Sequence, residues 1–116
     1  MIHASHASLP RALAQETENG DTNYEVELQI NGHNKGVLID PNGVVVEIEE
    51  QVTLASLPPA VKTTIVQSAG TGKIGMIESI TKGSAVVACE AHIRKGGKSM
   101  EIKVGPDGQL IPKGQG

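Results

Sequence analysis

Residues 24–46, YEVELQINGHNKGVLIDPNGVVV, can be laid without a gap on residues 89–111, CEAHIRKGGKSMEIKVGPDGQLI, by a shift of 65 positions. Identities between the two are few: Glu25 with Glu90, Gly32 with Gly97, Pro41 with Pro106 and Gly43 with Gly108. The punctuation carries more than the identities do. Each segment runs through an alternating stretch, a glycine turn, a second alternating stretch and a Pro-Asn-Gly or Pro-Asp-Gly turn into a short third strand. That order reads as an antiparallel meander used twice. In Asp40-Pro41-Asn42-Gly43 and Gly105-Pro106-Asp107-Gly108, proline sets φ at the first corner and glycine permits a positive φ at the end.

The alternation assigns faces. In the first segment Tyr24, Val26, Leu28 and Ile30 point inward, continued by Val37 and Ile39, while Glu25, Glu27 and Gln29 point to water. In the second, Val87, Cys89, Ala91, Ile93, Met100, Ile102 and Val104 point inward and Glu90, His92 and Arg94 outward.

A second echo precedes each meander. Ala7-Ser8-Leu9-Pro10-Arg11-Ala12 matches Ala55-Ser56-Leu57-Pro58-Pro59-Ala60 at a shift of 48, so the first copy is 17 residues shorter between its helix start and its meander. In the longer copy Ser56 is positioned to cap a helix whose first turn holds Pro58 and Pro59. Val61, Ile65 and Val66 give that helix its apolar stripe, and Gly70 and Gly72 end it. Residues 73–80 form a further strand. The first copy has room for a truncated helix over residues 9–15.

The expected fold class is therefore α+β, an antiparallel meander sheet packed on one main helix, with two repeats of which the first is shortened. A single domain spans residues 1–116, with the first repeat at about 8–53, the second at about 54–112, and flexible ends at 1–7 and 113–116.

Composition narrows the function. The 116 residues are 38% hydrophobic but include no Phe, no Trp and one Tyr, so the core is built from small aliphatic side chains and is thin. A net charge of −3, with no basic stripe and no aromatic platform, argues against nucleic acid as a partner. No apolar run reaches the roughly 18 residues of a membrane span, and the start Met1-Ile2-His3-Ala4-Ser5 lacks the basic and apolar regions of a signal peptide. One cysteine, Cys89, excludes an intrachain disulfide.

No motif points to catalysis or to a cofactor. Gly70-Thr71-Gly72-Lys73-Ile74-Gly75 spells a dinucleotide-binding formula, but a helix precedes it and a strand follows, the reverse of what that chemistry needs. It also fails as a phosphate-binding loop, with Gln67 in place of the first glycine and Ile74 in place of Ser or Thr. His3, His6, His33 and His92 are scattered, with no converging ligands to make a metal site. Cys89 sits in the inward phase of its strand, as a buried and inert thiol does. Glu47, Glu49 and Glu50 read as charges of an exposed strand. The stretch Val44, Val46, Glu47, Ile48 and Glu49 reads as a docking edge for another chain, by strand addition or in a homodimer.

Taken together, Leu57-Pro58-Pro59-Ala60-Val61-Lys62, then residues 89–93 and 100–110, with residues 24–47 and 9–13 in the earlier copy, resemble the PepSY-like repeat. The tandem is similar to β-lactamase-inhibitor-like, PepSY-like bacterial proteins. That resemblance implies small periplasmic or secreted proteins without enzymatic activity, which bind or restrain another protein. It supplies no catalytic motif, and this chain shows no export signal and no aromatic strand residue beyond Tyr24.

The reading that follows is a non-enzymatic protein-binding module, inhibitor-like or chaperone-like, that needs no cofactor. One alternative is a structural protein that completes its sheet by homo-oligomerisation, motivated by the short first copy and the thin core. Another is a small-ligand or metal-binding domain, resting on the scattered His and Glu.

Overall fold

The structure, a computed structural model, describes residues 9–18 and 21–112, with side chains from residue 22 onward. The expected flexible ends, 1–7 and 113–116, lie outside the described residues. Eight strands run in the order β1 (Leu9–Glu18), β2 (Asp21–Ile30), β3 (His33–Ile39), β4 (Val45–Val52), β5 (Lys73–Lys82), β6 (Ala85–Lys95), β7 (Lys98–Val104) and β8 (Leu110–Ile111). They form one antiparallel sheet in which every strand neighbours the next in sequence. Between β4 and β5 the chain makes a 3-10 turn, Leu54–Ser56, and the helix α1, Pro59–Ala69. The fold is thus α+β, as the alternation and the helix signals require.

The helix begins where proline allows it. Pro59 stands in the first turn, where its missing N–H would have had no partner, and Gly70 closes the other end at φ +55°. Ser56 does not cap α1 as the sequence suggests: its hydroxyl donates to the Thr53 carbonyl at 2.7 Å and closes the preceding turn. Val61, Ile65 and Ala69, one turn apart, are buried against β5, β6 and β7, whereas Val66 is exposed and adds nothing to the stripe. Their partners are Ile77, Cys89, Ala91 and Val104, with Val52, Leu54, Leu57, Ile74 and Ile102 at the margin. No aromatic ring enters this core, so close approach of small side chains must do what ring area does elsewhere.

The hairpins β2–β3 and β6–β7 share one register. Tyr24 faces Ile39 and Val26 faces Val37, and 65 positions later Cys89 faces Val104 and Ala91 faces Ile102. Both four-residue turns are built alike. Gly43 donates to the Asp40 carbonyl and Gly108 to the Gly105 carbonyl, each at 2.9 Å, with φ at +85° and +87°. Their surroundings differ. A Cβ on Gly108 would fall 2.8 Å from the Ala60 carbonyl oxygen of α1, while one on Gly43 would meet nothing within 4 Å. The Thr64 hydroxyl donates to the Gly108 carbonyl, fastening this turn to the helix.

Three expectations about the elements are corrected. Residues 9–15 belong to strand β1 rather than to a truncated helix, since they pair with β2 from Leu9 opposite Gln29 onward. Ladder pairing satisfies the backbone there in place of helical bonds. Val87 is exposed, because a bulge lets Ile80 face Ala88 and Thr81 face Val86, leaving Val87 as the extra residue and burying Ala88. Tyr24 and Met100, expected inward, are also exposed.

These contacts predict a graded response to mutation. Ile65→Ala should cost roughly 2–5 kcal/mol in chemical denaturation, as emptied aliphatic sites do. Gly43→Ala should cost about 1–2 kcal/mol from its positive φ alone, and Gly108→Ala measurably more, because the added methyl also strikes α1.

Candidate functional site

Directly opposed residues in an antiparallel pair share a face, so the register fixes what the side away from α1 displays. Across the strands run Glu25, Leu38 and Glu47; then Glu27, Gly36, Glu49, Ile80 and Ala88; then Gln51, Glu78, Glu90 and Lys103; and finally His92 and Glu101. Strand alternation thus places glutamates of β2, β4, β5, β6 and β7 on one open face. Gly36 is part of the arrangement: a Cβ there would collide with the Glu27 carboxylate, so the bare backbone lets that side chain lie across β3.

A depression of about 380 Å³ opens in this face. Ile80 and Ala88 floor it, Glu47, Glu49 and Glu90 wall it, and Lys82 and Lys103 stand at its rim. Lys82 Nζ lies 3.8 Å from Glu47 and Lys103 Nζ 3.9 Å from Glu90, and His92 Nε2 lies 3.1 Å from Glu101. All three pairs are part-exposed and each contributes little to stability. Glu49, Glu78 and Glu90 each bring a carboxylate oxygen within 4.8 Å of the others.

Three like charges so close, and part-buried, disfavour ionisation. Burial is the first cause for Glu49, followed by the charges of Glu78, Glu90 and Glu47 and a hydrogen bond to Glu47, and its pKa is raised to about 7. Burial likewise pushes Glu78 and Glu90 upward, opposed by His92 for the former and mainly by Lys103 for the latter. Cys89 lies on the other side, buried beneath α1, where burial raises its thiol pKa. That shift opposes thiolate formation.

The expected docking edge is rearranged. β4 is an interior strand, paired to β3 from Lys35 opposite Glu50 to Ile39 opposite Val45, and to β5 from Ile48 to Val52. Strand addition along Ile48 and Glu49 is therefore blocked by β5. Val44 is exposed beyond the end of the β5 ladder, Val46 stands in the bulge between β3 and β4, and Ile48 faces the α1 side. Glu47 and Glu49 do reach an open surface, but through their side chains. Glu90 is placed outward by the alternation, but neither it nor Glu78 can be grouped with Glu49 from sequence, because they lie about 40 and 30 positions away and only the β4–β5–β6 register unites them. His33 is exposed at the start of β3, and His3 and His6 lie outside the described residues. The glycine run 70–75 follows α1 and runs into β5, supplying its first three residues.

Glu49 makes stability pH-dependent. Because its folded-state pKa lies above its unfolded value, the folded chain holds the extra proton between roughly pH 4.5 and 7 and loses stability as pH rises through that window. Thermal or urea unfolding should show stability falling from pH 5 to pH 8, by on the order of 1 kcal/mol once solvent screening is allowed for. Glu49→Gln should flatten the profile and gain most at pH 8.

No protein-family model and no curated protein matches the chain. Solved structures do. A BLIP-like protein from Bacteroides fragilis superposes with a TM-score of 0.64 at 20% identity, covering 89% of this chain and 73% of its own. A DUF2874 family protein from Bacteroides ovatus gives 0.66 at 17% identity, with 89% and 74% covered. A protein from Bacteroides eggerthii, provisionally named periplasmic, gives 0.71 at 16% identity, with 89% and 76% covered. At these identities the likeness is one of fold: the described residues share the antiparallel-sheet, α+β architecture of BLIP-like proteins.

Proposed function

We propose that the chain is a non-enzymatic protein-binding module that meets its partner with the open, glutamate-rich face of the sheet. The observation that carries this reading is the depression between Glu47, Glu49 and Glu90, an apolar floor walled by carboxylates with Lys82 and Lys103 at the rim, which no described residue covers on the side away from α1. A surface of that kind suits a protein segment with Lys or Arg side chains, whose stems can lie on Ile80 and Ala88 while their charges meet the glutamates. Partner charge would also relieve the crowding of Glu49, Glu78 and Glu90.

The finer reading follows the PepSY-like, β-lactamase-inhibitor-like resemblance, supported by the BLIP-like fold of the neighbours. On it the module is inhibitor-like or chaperone-like toward another protein and works in the periplasm or outside the cell. Among the described residues no helix is long and apolar enough to cross a membrane.

A second reading has its own observation. The three carboxylates within 4.8 Å of one another could hold a hard divalent cation through oxygen ligands. Calcium or magnesium would then raise the melting temperature in a concentration-dependent way, and Glu78→Gln would abolish the rise.

Affinity capture from the producing cell, with the wild-type chain and a Glu49→Gln/Glu78→Gln/Glu90→Gln chain as parallel baits, tests the main reading. One specific protein should be held by the wild type, lost from the triple variant, and released by high salt. Recovery of no specific partner, or equal retention by both baits, would overturn it.

A further inference from the structure

On the α1 side the two halves of the sheet offer the same positions but not the same cover. Under α1, Cys89, Ala91 and Val104 are between 0% and 4% exposed. Their counterparts 65 positions earlier are Tyr24, Val26 and Ile39, held in the same register. Tyr24 is 42% exposed, and Val26, Ile39 and Val37 are only part-buried. The register carries this apolar surface on through Ile48 and Val45 of β4, and Val45 is exposed as well.

The turns repeat the contrast independently. Gly108 is pressed against Ala60 at the start of α1, and the Thr64 hydroxyl fastens the turn to the helix. The turn ending in Gly43 has the same hydrogen bonds and the same positive φ, yet faces open space. β1 also stands against β2 as β5 stands against β6, with Gln15 opposite Tyr24 and Ser79 opposite Cys89. Among the described residues only α1 supplies a helix of this length, and it lies over β5–β7.

We infer that the α1-side face of β2–β4 is a seat for a second amphipathic helix of the α1 kind, carried by another polypeptide segment. Its chemistry is set by the half that is filled: small aliphatic side chains four residues apart, like Val61, Ile65 and Ala69, with a first turn close enough to lie on Gly43. Larger side chains facing Val26 would be held off, since it stands where the filled half has Ala91. The seat is distinct from the acidic depression, which opens on the opposite side of the sheet, so one chain can hold two contacts at once.

The single tyrosine reports on the seat, since the chain has no tryptophan. The test fuses a copy of the sequence of residues 53–72 ahead of Met1 of the full chain, so that weak helicity of a short free peptide does not limit occupancy. Acrylamide quenching of Tyr24 and thermal unfolding are then compared with the native chain. A seated helix should cut Tyr24 quenching at least threefold and raise the melting temperature by several degrees, and Val37→Asp in the fused chain should reverse both. Equal Tyr24 quenching in fused and native chains would overturn the inference. So would concentration-dependent protection of Tyr24 in the native chain, which would assign the face to a second copy.

Discussion

The packing of Val61, Ile65 and Ala69 onto β5–β7 is the contact on which the rest of the molecule rests. It supplies most of the buried side chains among the described residues, and it is made without a single aromatic ring. Small side chains bring helix and sheet close together, and closeness explains why Gly108 must be glycine twice over, for its φ and for its distance from Ala60. Two fastenings hold α1 to the sheet, the helix stripe on β5–β7 and the bond from Thr64 to Gly108, the second of which joins residues 44 positions apart. Everything on the open face depends on this side being settled, because a strand held by its buried residues cannot slip by one position and turn its glutamates under.

That dependence connects the two faces energetically. Glu49, Glu78 and Glu90 are held near one another by the register of β4, β5 and β6, and the core beneath β5 and β6 enforces that register against the repulsion of the carboxylates. Part of the stability gained under α1 is spent in keeping like charges together on the other side. Functional surfaces commonly carry local cost of this kind, sustained by well-packed surroundings. The likeness to BLIP-like structures is one of fold, the fold that makes this possible.

Much of the architecture was legible in the sequence. The 65-residue offset located both central hairpins with the correct pairing, the glycines of the turns took the positive φ assigned to them, and α1 was found from its prolines, its Val61–Ile65 spacing and Gly70. Residues 9–15 were misread because a Leu-Pro-x-Ala start carries the same local signal in both copies. Only pairing with β2 decides between helix and strand there, and that is not a local property. Val87 defied simple alternation because a bulge inserts a residue without altering composition. The candidate site was half visible. Glu47 and Glu49 stand out as an acidic run, but their neighbours Glu78 and Glu90 come from other strands, and the mistaken edge assignment arose because nothing in β4 itself says that β5 will pair with it.

The strand order has a consequence for how the chain finds this structure. Every pairing in the sheet joins strands adjacent in sequence, and only the β4–β5 pair must wait for the intervening helix. Loop-closure entropy is therefore modest at each step, and topology of this kind favours fast folding for so strand-rich a chain. The segment from α1 to β7 unites the helix with the hairpin that buries it, so the nucleus is expected in that half, with β1–β4 then zipping onto an existing edge. Such a path leaves the first four strands as the last to be secured and the first to open, which makes their exchange behaviour, rather than their static shape, the most direct record of whatever comes to cover them.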